Sequence, residues 1–212
     1  MKNRRYNTEK FWDRAAPGYD NAEANDSHKH ELVFDTLKKY MLPADKVLDL
    51  GCGTGLMASR IAGHVQQVTG IDISSQMIRK AQERALQNSL TNTHFLKADV
   101  FDEKLSHHSF ECITANYLLH LLPDLQAVLQ RADHLLKPGG YFMATTPCMK
   151  EKPLLLLALK GLSKIKLAPD ITGFSLPGLK RTLTRANWQM VECLKLSESD
   201  PEYLTIMKKI GT

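Results

Sequence analysis

Short apolar runs alternate with apolar stripes at helical spacing over most of this chain. Lys46-Val47-Leu48-Asp49-Leu50 is a run of strand length that ends in glycines, and a helix starts near Gly55. Gln67 to Asp72 reads as a second strand. Ser74 then supplies the N-cap of a helix carrying Met77, Ile78, Ala81 and Ala85. His94 to Lys97 gives a third strand and Phe110 to Ala115 a fourth. The clearest helix follows, with Leu125, Val128, Leu129, Ala132, Leu135 and Leu136 on one face. Pro138-Gly139-Gly140 predicts its end, and Tyr141 to Thr146 a fifth strand. Residues 148–173 interrupt the alternation. Ser175 caps a helix with Leu176, Leu179 and Leu183, and two strands close the pattern, Met190 to Leu196 and Tyr203 to Lys208. The first forty residues are polar apart from two amphipathic patches, Phe11-Trp12 and Leu32-Val33-Phe34-Leu37, which read as helices lying on the domain that starts later.

Strands alternating with helices predict parallel strands with helices on both faces. The turn from Ser197 to Pro201 is too short for a parallel crossover, so the last two strands form an antiparallel hairpin. The expected fold is therefore α/β: a Rossmann-like, mostly parallel sheet of seven strands with one antiparallel member. Residues 1–212 read as a single domain, with 1–40 as an N-terminal helical cap and 148–173 as an insertion that forms a lid or substrate region.

Composition narrows this picture only a little. The 28 lysines and arginines exceed the 23 acidic residues by 5, an imbalance that fits an ordinary solvated surface and is too small for a phosphate-tracking one. Nucleic acid is accordingly disfavoured as a partner. Cys52, Cys112, Cys148 and Cys193 show no CxxC pair and no zinc spacing, so they read as small buried hydrophobes in a reducing compartment, and no metal site is expected. The opening MKNRRYNTEK has no apolar stretch after it and is not a signal peptide. The longest apolar run, Leu154 to Leu159, falls far short of the roughly 20 residues that span a bilayer. A soluble cytoplasmic protein is expected.

The candidate chemistry sits in Asp49-Leu50-Gly51-Cys52-Gly53-Thr54-Gly55, an apolar strand running into a glycine turn that opens a helix. Glycines there permit positive φ and close approach of a ligand, and free N–H groups at a helix start suit a carboxylate or phosphate. The dinucleotide fingerprint needs a third glycine where this chain has Leu56. The glycines follow G-x-G-x-G after an acid instead, and this block resembles the first motif of class I S-adenosylmethionine-dependent methyltransferases. Asp72 at the end of the second strand, Asp99 in Lys97-Ala98-Asp99-Val100, Asn116 in Ala115-Asn116-Tyr117, and Leu135-Leu136-Lys137-Pro138-Gly139-Gly140-Tyr141 match that family in order, over roughly residues 40–147. The start, Phe11-Trp12-Asp13-Arg14-Ala15-Ala16-Pro17-Gly18-Tyr19-Asp20, resembles members that act on small molecules and quinone precursors.

The resemblance implies S-adenosylmethionine as cofactor, S-adenosylhomocysteine as product, and a small-molecule acceptor. It implies cofactor contacts from Tyr19, Asp49, Gly51, Cys52, Gly53, Gly55, Asp72, Ile73, Met77, Asp99, Val100 and Asn116. Asp72 would accept from the ribose hydroxyls, Asp99 from the adenine amino group, and Tyr19 would reach the methionine end. His120, just after the fourth strand, is the candidate to orient an acceptor or take its proton, against the plainer reading of a wall residue among leucines. Pro153 to Leu159 with Lys160, Lys164 and Lys166 reads as a helix packed on the sheet with a solvated lysine face. Its alternatives are a lid over an apolar or amphiphilic substrate and transient contact with a membrane surface. Two rival functions stand beside small-molecule methylation. One is methylation of RNA or another macromolecule, although the chain has no Pro-Pro of the base-methylating motif; the other is cofactor binding without catalysis.

Overall fold

A computed structural model describes residues 2–23, 27–184 and 187–211. Seven strands form one sheet: β1 (Lys46–Leu50), β2 (Gln67–Asp72), β3 (Thr93–Lys97), β4 (Phe110–Asn116), β5 (Leu136–Pro147), β6 (Trp188–Lys195) and β7 (Glu202–Lys209). Their order is β3-β2-β1-β4-β5-β7-β6. All pairs from β3 through to β5 are parallel, and β7 runs antiparallel to both β5 and β6. One strand is thus reversed, as the short Ser197–Pro201 turn requires. The chain moves outward from β1 in both directions, so the order reverses between β1 and β4. Such a reversal leaves a crevice beyond the carboxyl ends of the strands.

Helices α1 (Lys2–Glu23), α2 (Ser27–Leu37), α3 (Leu56–Ala62), α4 (Ser75–Gln87), α5 (Leu125–Leu135), α6 (Pro153–Lys164) and α7 (Leu176–Leu183) complete the described elements of regular length. Alternate residues of β1 feed two cores. Leu48 and Leu50 join Ile113, Phe142, Leu129, Leu135, Leu179 and Trp188 on one face. Val47 joins Val68, Ala58, Ile61, Ala81, Cys112, Ile206 and Leu37 of α2 on the other. Burial of both faces explains why the central strands are apolar runs rather than strict alternations. Cys52, Cys112 and Cys148 are buried and Cys193 half-buried, all as free thiols. No described helix is long and apolar enough to cross a membrane.

Three expected boundaries or faces change. Helix α5 stops at Leu135, and β5 begins at Leu136, five residues before the expected start at Tyr141. Leu136 pairs with Phe110, and a bulge between Phe110 and Cys112 restores register with Tyr141. Pro138-Gly139-Gly140 consequently lies at the irregular beginning of the strand and does not end the helix. Gly140 presses on β4 there, since a Cβ would come within 2.7 Å of the Glu111 carbonyl oxygen. Strand β6 starts at Trp188, where the indole stacks on Phe142 at 4.6 Å and donates to Asp133. The leucines of α6, expected to pack on the sheet, are mostly left open: none of its residues is fully buried, and only Leu156 and Leu159 among its leucines are half-buried.

Phe95 of β3 explains two glycines. A Cβ on Gly70 of β2 would meet the Phe95 ring at 2.6 Å and the Cys52 sulfur at 3.0 Å. A Cβ on Gly55 would meet the same ring at 3.1 Å and Ala81 at 2.9 Å. The buried ring therefore fills the space these two residues leave and sets the distance between the turn, β2 and α4. Replacing Gly70 by Ala should overpack this site and cost about 1–3 kcal/mol. Equilibrium denaturation should show that loss, and Phe95→Leu in the same chain should recover part of it.

Candidate functional site

The turn after β1 is built from three left-handed glycines, Gly51 (φ 65°), Gly53 (φ 53°) and Gly55 (φ 75°). Side chains are strained in that region, so the turn belongs to glycine. It is pinned from below by Cys52 N–H donating to the Ile71 carbonyl at 3.0 Å. Leu118 closes over Gly51, where a Cβ would lie 2.8 Å from Cδ1. Tyr19 of α1 stands over Gly53, 3.7 Å from where its Cβ would be.

Asp72 binds this turn to the next helix. One carboxylate oxygen accepts from Gly53 N–H at 3.1 Å and the other from Ser74 N–H at 2.8 Å. Burial raises its pKa against the lowering effect of those donors. Ser74 is the N-cap of α4, accepting from Met77 N–H at 3.1 Å.

Asp49 lies deeper, 2% exposed, and accepts from the Thr114 hydroxyl at 2.7 Å. Burial pushes its carboxyl up to about 7; the Thr114 hydrogen bond opposes this and the nearby Asp72 charge adds to it. A small cavity of about 50 Å³ opens beside it, lined by Tyr19, His30, Asp49, Gly51, Cys52, Gly53, Asn116 and Tyr117, among others. Asn116 accepts from Thr145 Oγ1 at 3.0 Å through Oδ1, while its buried Nδ2 has no partner. Among the described residues, the cavity therefore joins a buried carboxyl with no cation beside it to an amide donor with no acceptor. A ligand with a cationic group and acceptor atoms would satisfy both.

Six expected residues, Tyr19, Asp49, Gly51, Cys52, Gly53 and Asn116, meet at this cavity. Gly55 and Asp72 frame the turn without lining it. Ile73 is half-buried and Met77 fully buried at the start of α4. Asp99 lies beyond β3, accepting from Phe101 N–H at 2.9 Å, and Val100 is buried in the core on the α5 side. These four stand apart from the cavity, beyond the carboxyl ends of β2 and β3.

His120 occupies a 3₁₀ turn, Leu119–Leu121, and does not line the cavity. Its buried Nδ1 has no partner, and burial alone pushes the imidazole down to about 4. It is therefore neutral near pH 7 and a weak proton acceptor. Its carbonyl accepts from Thr172 N–H at 2.7 Å, which joins the segment after α6 to the end of β4.

The cap contributes residues that sequence reasoning passed over. Asp13 accepts from Ser74 Oγ at 2.6 Å and Gln76 N–H at 3.2 Å, so α1 is fixed to the start of α4. Asp20 accepts from the Thr54 hydroxyl at 2.6 Å and pairs with Arg84 at 2.9 Å. Glu9 pairs with Lys97 at 2.5 Å. Such ties follow no period and leave no signal in a single sequence. His30 did leave one. It lies three residues before Val33 and so falls on the buried face of α2 with Val33 and Leu37.

The methyltransferase-domain family matches residues 42–189. An uncharacterised methyltransferase of Mycobacterium tuberculosis is 34% identical over 117 residues, which cover 54% of this chain and 58% of that protein. A ubiquinone biosynthesis O-methyltransferase of Haemophilus ducreyi is 32% identical over 132 residues, 60% of this chain and 56% of its own length. This chain thus spans under two thirds of the curated relatives it matches. Among solved structures, the putative methyltransferase bound to the Haloferax volcanii Trm112 activator superposes with a TM-score of 0.76 at 17% identity, over 94% of this chain and 98% of its own.

The protonated Asp49 has a consequence for stability. An unfolded carboxyl titrates near 3.9 and the native one near 7, so the unfolded chain loses its proton first as pH rises. Stability should fall across about pH 4 to 7 on this account and level off above. Asp49→Asn keeps an acceptor for Thr114 and removes the titration. Its advantage in Tm over the native, ligand-free chain should grow across that window and then stay constant; a difference independent of pH would contradict a buried, protonated carboxyl.

Proposed function

Because the chain belongs to the methyltransferase-domain family, we propose that it transfers the methyl group of S-adenosylmethionine to a small-molecule acceptor of apolar or amphiphilic character, releasing S-adenosylhomocysteine. The observation that carries this reading is the buried carboxylate of Asp49 beside the unpartnered Asn116 amide, under a left-handed glycine turn. Those groups fit the methionine end of that cofactor, which carries an ammonium, a carboxylate and a sulfonium. The small-molecule acceptor is supported by the Haemophilus ducreyi relative, which is named for ubiquinone biosynthesis.

When bound, the cofactor supplies a sulfonium-activated methyl and a good thioether leaving group. The chain's own residues bind, orient and exclude water. Asp49, ionised by a neighbouring cation, would hold the ammonium. Asp72 retains acceptor sites beyond its two backbone donors and would take the ribose hydroxyls. Asp99 and the Val100 N–H would receive the adenine edge, with Ile73 and Met77 between. Tyr19 covers the turn and keeps water from the reacting centre. Positioning and desolvation then carry the rate. A neutral, partnerless His120 nitrogen suits a hydrogen bond that orients the acceptor and is poorly suited to holding an abstracted proton.

Incubation with methyl-labelled cofactor and a panel of phenolic, prenylated and other metabolite acceptors should show transfer to a small molecule. Binding without turnover on any acceptor class would leave a cofactor-binding scaffold. Asp72→Ala should weaken calorimetric affinity for S-adenosylhomocysteine by roughly 1–3 kcal/mol, and unchanged affinity would contradict the ribose assignment. His120→Ala should lower kcat/KM for the acceptor without altering the pH profile above pH 6. A lost titration in that range would instead make it the base.

A further inference from the structure

Helix α6 is amphipathic in the reverse of the usual sense. Leu154, Leu157, Ala158 and Gly161 share one face at helical spacing, with Leu155 and Leu162 along its border, and all six are exposed. Leu154 is 84% and Leu157 70% exposed. Leu156, Leu159 and Ser163 face inward and are half-buried. The chain beyond continues the patch, with Ile165 at 65% and Leu167 at 68% on either side of the left-handed Lys166. Six of the twelve large apolar side chains exposed among the described residues fall between 154 and 167. A contiguous apolar patch of this kind marks an interaction surface.

The patch is held in place. Leu156 packs on Gly173, where a Cβ would come within 2.6 Å of it. Lys152 pairs with Asp200 at 2.9 Å, and Lys150 N–H donates to the Phe174 carbonyl at 2.8 Å. Thr172 N–H reaches the His120 carbonyl. The exposed leucines are therefore presented by an anchored helix beside the end of β4, not by a loose tail.

Charge selects the occupant. Between 152 and 169 the chain has Lys152, Lys160, Lys164 and Lys166 and no aspartate or glutamate. Lys160 and Lys164, one turn apart, flank the apolar face on the side away from Leu155 and Leu162. A second copy brought face to face would oppose these lysines with its own. A single convex helix, apolar on its crest and cationic along its flank, fits a plane that is apolar within and negative at its surface.

We propose that α6 and the turn from Ile165 to Leu167 dock the protein on an anionic lipid bilayer, leucines in the interface and lysines against the headgroups. The proposal rests on the transferase reading for its use, because an amphiphilic acceptor partitions into that surface and would reach the site by way of the segment tied to His120.

The test is co-sedimentation of the full chain, without cofactor, with vesicles of phosphatidylcholine alone or mixed with phosphatidylglycerol. Binding should require the anionic lipid and fall severalfold between low and physiological salt. It should drop at least tenfold in Leu154→Glu/Leu157→Glu and clearly in Lys160→Glu/Lys164→Glu, with Tm unchanged because all four side chains are exposed. Absence of binding at low salt, or binding indifferent to both variants, would overturn the proposal. A concentration-dependent dimer that Leu154→Glu/Leu157→Glu abolishes would also overturn it and make the patch a self-interface. Vesicle binding with no turnover would remove the transferase reading alone, and turnover of a water-soluble acceptor without vesicle binding would remove this proposal alone.

Discussion

Two backbone N–H groups converge on the carboxylate of Asp72, one from the glycine turn and one from the N-cap of α4. That pair of bonds couples the end of β1 to the end of β2, and the rest of the crevice is measured from it. The turn is free to follow this geometry because its three glycines occupy left-handed conformations open to few other residues. Beneath, the Phe95 ring sets how close turn, strand and helix can come. Above, Tyr19 rests on the same turn. A carboxylate that already serves two donors is a rigid platform, so any hydroxyls it receives from a ligand meet oxygens that need no rearrangement.

Asp49 shows the opposite economy. Among the described residues its carboxyl has one hydrogen-bond donor, Thr114, and no cation beside it, and burial raises it to about 7, so the ligand-free protein holds it protonated below about pH 7. It lines the same cavity as the Asn116 amide, whose buried Nδ2 has no hydrogen-bond partner among the described residues. If these residues hold a ligand, stability and binding would draw on them in opposite directions, as is common where a site is arranged for a ligand rather than for itself.

The central sheet was legible because each of its strands is a short apolar run bounded by turn residues, and the reversed β7 follows from one loop length. The start of β5 was not, because Pro-Gly-Gly normally ends a helix locally, whereas pairing of Leu136 with Phe110 is decided across the sheet. Motif residues at strand ends, Asp49, Asp72 and Asn116, could be placed by their order alone. The ties of Asp13 and Asp20 could not, since a polar tertiary contact carries no periodicity. His120 was placed correctly just after β4, yet neither its burial nor its tie to Thr172, some fifty residues later in the chain, could be read from its own neighbourhood in the sequence. Composition announced the leucine-rich helix but not its orientation, because a leucine stripe says that a helix has an apolar face, not what covers it.

The N-terminal helix also bears on how a ligand could come and go. The space under Tyr19 holds about 50 Å³, well below the roughly 300 Å³ or more that ligand pockets usually provide. A ligand group bulkier than this space would have to displace Tyr19, and with it the helix that carries it. What holds α1 down is a set of rim carboxylates, Glu9, Asp13 and Asp20, gripping α4, β3 and the turn. For such a ligand, residence time would depend on how often these ties let go together, and the tempo of exchange would then be set by the first twenty residues as much as by the pocket they cover.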